Sequence, residues 1–95
     1  KIMSDIINDL FQTIEDRQAR PQPGSYTNEL LAAGEDEIVK KIGEEAVELI
    51  LAAKGQGNQR LVEESADFIY HLLVLLVSRG LTWDEVLAEL AARRR

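Results

Sequence analysis

Two long stretches of helical periodicity, Glu35 to Lys54 and Asn58 to Arg79, are separated only by Gly55-Gln56-Gly57. So short a connection makes the second helix turn back along the first as an antiparallel neighbour. On the first stretch Ile38, Ile42, Glu45, Leu49 and Ala52 recur at alternating spacings of four and three, the seam of a packed helix. On the second, Leu61, Glu64, Phe68 and Leu75 share one stripe, while Asp67 lines up with Tyr70, Val74 and Val77. From Phe68 to Val77 the helix is apolar nearly all round, so neighbours or a second subunit should bury it.

The remaining punctuation is also helical. Ser4 can cap a first helix carrying Ile7, Leu10, Phe11 and Ile14 on one face. Arg20-Pro21-Gln22-Pro23-Gly24 stops it, and Thr27 could cap a short helix ending near Gly34. Acids open the third helix, Gly55 lies beyond its end, Asn58 caps the fourth, and Gly80 supplies its left-handed stop. Thr82 through Glu85 fits the capping-box pattern S/T-x-x-E and opens a last helix toward Arg94. No strand alternation, internal repeat or low-complexity tract stands out. The expectation is an all-α single domain, a small bundle of four to five helices with two long antiparallel central ones.

Ninety-five residues with 45% apolar content can pack helices but give one core only modest stability. Self-association would help by covering apolar helix surface. A net charge of −6 argues against a nucleic-acid partner, and the absence of cysteine removes disulfides, thiol nucleophiles and zinc fingers. The most apolar run is too short to span a bilayer and contains His71, and Lys1 to Phe11 does not read as a secretory signal. A cytoplasmic location is expected, with no membrane partner and no function assigned to Lys1 to Met3.

Four acids interrupt this packing pattern as two i, i+3 pairs, Glu45 with Glu48 and Glu64 with Asp67. Residues three apart lie about 60° round a helix, so each pair can converge on one point. Each pair sits about two turns from the connecting loop, which brings all four level across the helix interface. A solvated acidic face is the bland alternative, yet it does not account for Glu45 in a packing seam. Charge held there must find cations, and oxygen-only ligands favour Mg²⁺ or Mn²⁺ over zinc or copper. A di-iron bundle would need Glu-x-x-His, whereas Asp67 and Glu48 occupy the matching positions here.

Cations flank the acids. Lys40 and Lys41 precede Glu44 and Glu45 by one turn, Lys54 ends the helix, and Arg60 opens the next. They either make ordinary i, i+4 pairs, Lys40 with Glu44 and Lys41 with Glu45, or receive phosphate oxygens. His71, four residues after Asp67, reads as a hydrogen-bonded core or interface residue ahead of a partner to a metal ligand. Trp83 and Phe11 read as core, and Arg93-Arg94-Arg95 suits a helix C-terminus.

Glu44-Glu45-x-x-Glu48 followed by Glu64-x-x-Asp67 resembles the E-E-x-x-E…E-x-x-D signature of all-α, MazG-like nucleoside triphosphate pyrophosphatases. Ser25-Tyr26-Thr27, the run Lys40-Lys41-Ile42-Gly43-Glu44-Glu45-Ala46, and Asp67-Phe68-Ile69-Tyr70-His71-Leu72-Leu73-Val74-Leu75-Leu76 resemble the phosphoribosyl-ATP pyrophosphatase family of histidine biosynthesis. The likeness spans nearly the whole chain. It implies cleavage of the α–β phosphoanhydride of a nucleotide, phosphoribosyl-ATP, to phosphoribosyl-AMP and pyrophosphate. It also implies Mg²⁺ held by Glu45, Glu48, Glu64 and Asp67, Glu44 positioning or deprotonating water, and a homodimer. In some organisms this domain is fused to a zinc cyclohydrolase, whose Cys and His ligands are not found here. A house-cleaning pyrophosphatase acting on dNTPs shares the acid signature but not the Ser25-Tyr26-Thr27 and Tyr70-His71 surroundings. A non-catalytic helical assembly module is the competitor from another class.

Overall fold

A computed structural model of the chain describes residues 5–94. Among them are five helices: α1 (Ile6–Ala19), α2 (Tyr26–Ala33), α3 (Glu35–Gly55), α4 (Asn58–Ser78) and α5 (Trp83–Arg93). The all-α expectation holds, and α3 and α4 form the long antiparallel pair that the short connection requires.

Several helix ends differ from the sequence reading. Ser4 lies outside the described residues, and α1 is preceded by Asp5, whose side chain makes no capping bond. Ser25 rather than Thr27 caps α2, its hydroxyl accepting the Asn28 amide at 3.2 Å. Thr27 sits inside the helix, where its hydroxyl is used elsewhere. Gly55 is the last residue of α3 and Asn58 the first of α4, with Gln56 and Gly57 as the flanking residues. Gly57 has φ 87°, a left-handed conformation that reverses the chain and costs a residue without Cβ little.

Other ends form as read. Glu35, Asp36 and Glu37 line the first turn of α3, against the positive end of its dipole. At the end of α4 the Leu81 amide donates to Leu76 O (2.9 Å) and the Gly80 amide to Val77 O (3.0 Å), a Schellman stop with Gly80 at φ 72°. Thr82 and Glu85 close a reciprocal capping box on α5.

The core lies at the end of the pair remote from the loop. Phe11 and Ile14 of α1, Leu30 of α2, Ile38 of α3, and Leu73, Val74, Leu76 and Val77 of α4 meet there, with Trp83 and Val86 packed against them. Arg79, just past α4, grips Glu35 at the start of α3 with bonds of 2.5 and 2.8 Å, clamping the ends opposite the loop. Asn28 secures α1's exit by donating to Arg17 O and accepting from the Gln22 amide.

The seam on α3 is real: Ile38 and Ala52 are buried, and Ile42, Glu45 and Leu49 lie half-buried between them. Phe68 to Val77 is less covered than its composition suggests, since Ile69 is exposed. Val47, Ile50 and Leu51 of α3 and Val62 of α4 are also exposed, so apolar surface remains on the central pair. No described helix is long and apolar enough to cross a membrane.

Candidate functional site

Midway along the α3–α4 pair, between the core and the loop, the seam carries carboxylates in place of hydrocarbon. Glu45, Glu48 and Glu64 each present an oxygen to a common space, all three within 4.8 Å of one another. Their exposures differ sharply: Glu48 is exposed, Glu45 half-buried and Glu64 only 4% exposed. Glu45 Oε2 and Glu64 Oε2 are buried and have no hydrogen-bond partner. A buried carboxylate oxygen without a donor loses its water and gains nothing in exchange. Such an arrangement suits a cation that bonds several oxygens at once, and hard divalent ions do this.

The other two acids stand at the margin. Asp67, three residues after Glu64, is exposed and lies outside the converged group. Glu44 is exposed and takes the Lys41 ammonium at 3.4 Å.

The two lysines do not form the expected i, i+4 pairs. Lys41 pairs with Glu44 rather than Glu45, and Lys40 has no ion-pair partner among the described residues. Lys54 is exposed near the end of α3. Arg60 leans back onto its own helix, donating from Nη2 to Glu64 Oε1 at 2.6 Å and from Nη1 to Glu63. Glu64 therefore has one oxygen satisfied by Arg60 and one left over. Gln59 first, then Arg60, holds the Glu63 carboxyl below its usual range.

Sequence periodicity did not single out the polar contacts beside this cluster. His71 is buried, as a hydrogen-bonded core histidine should be, with Nδ1 2.7 Å from Asp67 O and Nε2 2.9 Å from the Tyr26 hydroxyl. Thr27 Oγ1 meets the Tyr70 hydroxyl. The segments Ser25-Tyr26-Thr27 and Tyr70-His71, far apart in the chain, thus face each other in space. Tyr26 and Tyr70 lie nearly parallel with centroids 6.1 Å apart, and His71 meets both rings edge-on. Both segments stood out in the sequence and a buried histidine needs partners, but neither fact says that the two segments meet.

Comparison with known proteins bears on what such a site does. The family model described as phosphoribosyl-ATP pyrophosphohydrolase matches residues 7–94. The chain is 57% identical over 91 residues to a phosphoribosyl-ATP pyrophosphatase of Pelotomaculum thermopropionicum, covering 96% of this chain and 93% of that one. It is 48% identical to the protein of that name from Lactiplantibacillus plantarum, over 92% of this chain and 82% of the relative. A match at 43% identity to the histidine biosynthesis bifunctional protein HisIE of Parasynechococcus marenigrum covers 96% of this chain but 41% of that longer protein.

Proposed function

The chain belongs to the phosphoribosyl-ATP pyrophosphohydrolase family, and from that membership we propose that it hydrolyses phosphoribosyl-ATP at the α3–α4 carboxylates. The products are phosphoribosyl-AMP and pyrophosphate, and the reaction is the second step of histidine biosynthesis. The observation that carries the site assignment is the pair of buried, unpartnered oxygens on Glu45 and Glu64. A solvated acidic face or an assembly module has no use for them.

The oxygen-only donor set fits Mg²⁺, with Mn²⁺ as the alternative. In this reading Glu45, Glu48 and Glu64 would hold the ion, with Asp67 as a fourth ligand one turn beyond Glu64. When bound, the ion supplies neutralisation of phosphate charge. The chain's own groups then do the rest. Glu44, exposed and held by Lys41, orients a water and accepts its proton as the oxygen attacks phosphorus. The bond to the α–β bridging oxygen breaks, and pyrophosphate leaves with that oxygen. Lys40 and Lys41 receive phosphate oxygens, and Lys54 and Arg60, at the loop end of the helix pair, are the further candidates for such contacts. No covalent intermediate is required.

The proposal extends to a cytoplasmic homodimer acting as a single domain. Val47, Ile50 and Leu51 support it, because they leave an apolar strip on the pair that carries the site.

The test is pyrophosphate release with Mg²⁺ from phosphoribosyl-ATP, measured beside a panel of dNTPs. Turnover of phosphoribosyl-ATP is expected, and turnover of dNTPs alone would reassign the chain to nucleotide house-cleaning. Asp67→Asn should abolish release while circular dichroism shows intact helicity. Undiminished turnover in that variant would remove Asp67 from the site.

A further inference from the structure

Among the described residues, Arg60 is the only cation ion-paired with a member of the Glu45, Glu48 and Glu64 group. Its Nη2 donates to Glu64 Oε1 at 2.6 Å, four residues further along α4, and its Nη1 donates to Glu63. Carboxylates on two successive residues thus hold one planar guanidinium, which fixes it better than a single contact does. Glu64 is buried and Arg60 exposed, so the positive charge reaches the group from its solvent side. Arg60 satisfies one Glu64 oxygen and leaves Oε2 without a partner. The two contacts use two of the five guanidinium N–H donors.

That charge acts with opposite sign on two kinds of ligand. A lone divalent ion on Glu45, Glu48 and Glu64 shares Glu64 with a cation that repels it. An ion already bound to a phosphate chain arrives with net negative charge and with phosphate oxygens to spare. Arg60 attracts that charge and has donors left for those oxygens. The guanidinium stays protonated throughout, so the effect needs no titration.

We propose that Arg60 is a specificity-determining residue: it selects a divalent ion bound to a phosphoanhydride over the same ion alone, so that ion and nucleotide enter together. The inference rests on the reading of Glu64 as an ion ligand. It turns Arg60 from one candidate phosphate contact among several into the residue that couples ion to phosphate.

The test measures two dissociation constants by calorimetry, one for lone Mn²⁺ and one for the preformed complex of Mn²⁺ with pyrophosphate. Glutamine at position 60 removes the charge but keeps an amide that can donate to Glu64. R60Q should bind lone Mn²⁺ about tenfold more tightly, through loss of the repulsion. It should bind the complex about tenfold more weakly, through loss of a charge-assisted hydrogen bond. The ratio of the two constants then shifts about a hundredfold. R60K, which keeps a point charge, should stay within about threefold of the parent ratio. Were Arg60 merely structural, R60Q would weaken both constants together, and that result would overturn the inference. So would a ratio unmoved by R60Q while Glu64→Gln weakens binding of lone Mn²⁺. Unchanged Mn²⁺ affinity in Glu64→Gln would instead sink the ion reading, and this inference with it. Should R60Q not fold, E64Q/R60Q is compared with E64Q, a pair in which the buried Glu64 charge is absent from both. The ratio should move in the same direction there, and an unmoved ratio would overturn the inference.

Discussion

Replacing Glu45 by glutamine removes one charge from three carboxylates whose oxygens lie within 4.8 Å of one another. Two unit charges at that separation repel by about 0.9 kcal/mol in bulk water and about 3.5 kcal/mol at an effective dielectric of ~20. Glu48 is exposed, so its repulsion of Glu45 lies near the lower figure, and buried Glu64 lies nearer the upper one. The substitution forfeits the attraction of Lys41, but glutamine brings an amide donor that can reach the orphaned oxygen of Glu64. Taking these together, the metal-free variant should be about 2 kcal/mol more stable than the parent. For a chain of this size that raises the thermal midpoint by roughly 10 °C. With a divalent ion at about a hundredfold excess over its Kd, the parent should gain about 2.7 kcal/mol and Glu45→Gln far less. Thermal unfolding followed by circular dichroism, in chelator and then in saturating Mn²⁺, reads both effects. A metal-free Glu45→Gln protein less stable than the parent, or one that keeps the full ion-induced shift, would refute a strained carboxylate site.

Three further outcomes are expected. Leu73→Ala, at a fully buried position, should cost about 2–5 kcal/mol, read as a lower urea midpoint at unchanged m value. Glu35 has its pKa lowered from 4.5, first by its hydrogen bond to Arg79, so its stabilising contribution is complete above about pH 4.5 and is lost as pH falls through the lower folded value. Glu35→Gln should therefore be less stable than the parent at pH 7 and converge with it in acid, and parallel melting curves would exclude that linkage. Ile50→Lys, on the exposed apolar strip of α3, should shift sedimentation toward the monomer without loss of helicity, and an unchanged species would place the subunit contact elsewhere.

The sequence carried the architecture because helical periodicity is local. The seam from Ile38 to Ala52 and the short link at residues 55–57 require two neighbouring antiparallel helices whatever surrounds them. The capping box at Thr82 and the stop at Gly80 were legible for the same reason, since each needs only residues within one turn. Caps were misread where several residues could serve. Ser25 and Thr27 are both competent, and the choice went to Ser25 because Thr27's hydroxyl is drawn to Tyr70 across the helix interface.

The carboxylate site divides along the same line. Its members were visible as i, i+3 pairs interrupting an apolar pattern, and Glu45 was correctly assigned to a seam. Their exposures were not visible, because burial depends on which neighbours arrive from other elements. Only the tertiary structure separates buried Glu64 from exposed Asp67, gives Arg60 to Glu64, and leaves one oxygen unpaired on each of Glu45 and Glu64. The Tyr26–His71 contact, across 45 residues of sequence, belongs wholly to this second class. Spacing along a helix fixes which side chains share a face, but whether a charge on that face meets water, a guanidinium or nothing is decided by three-dimensional packing.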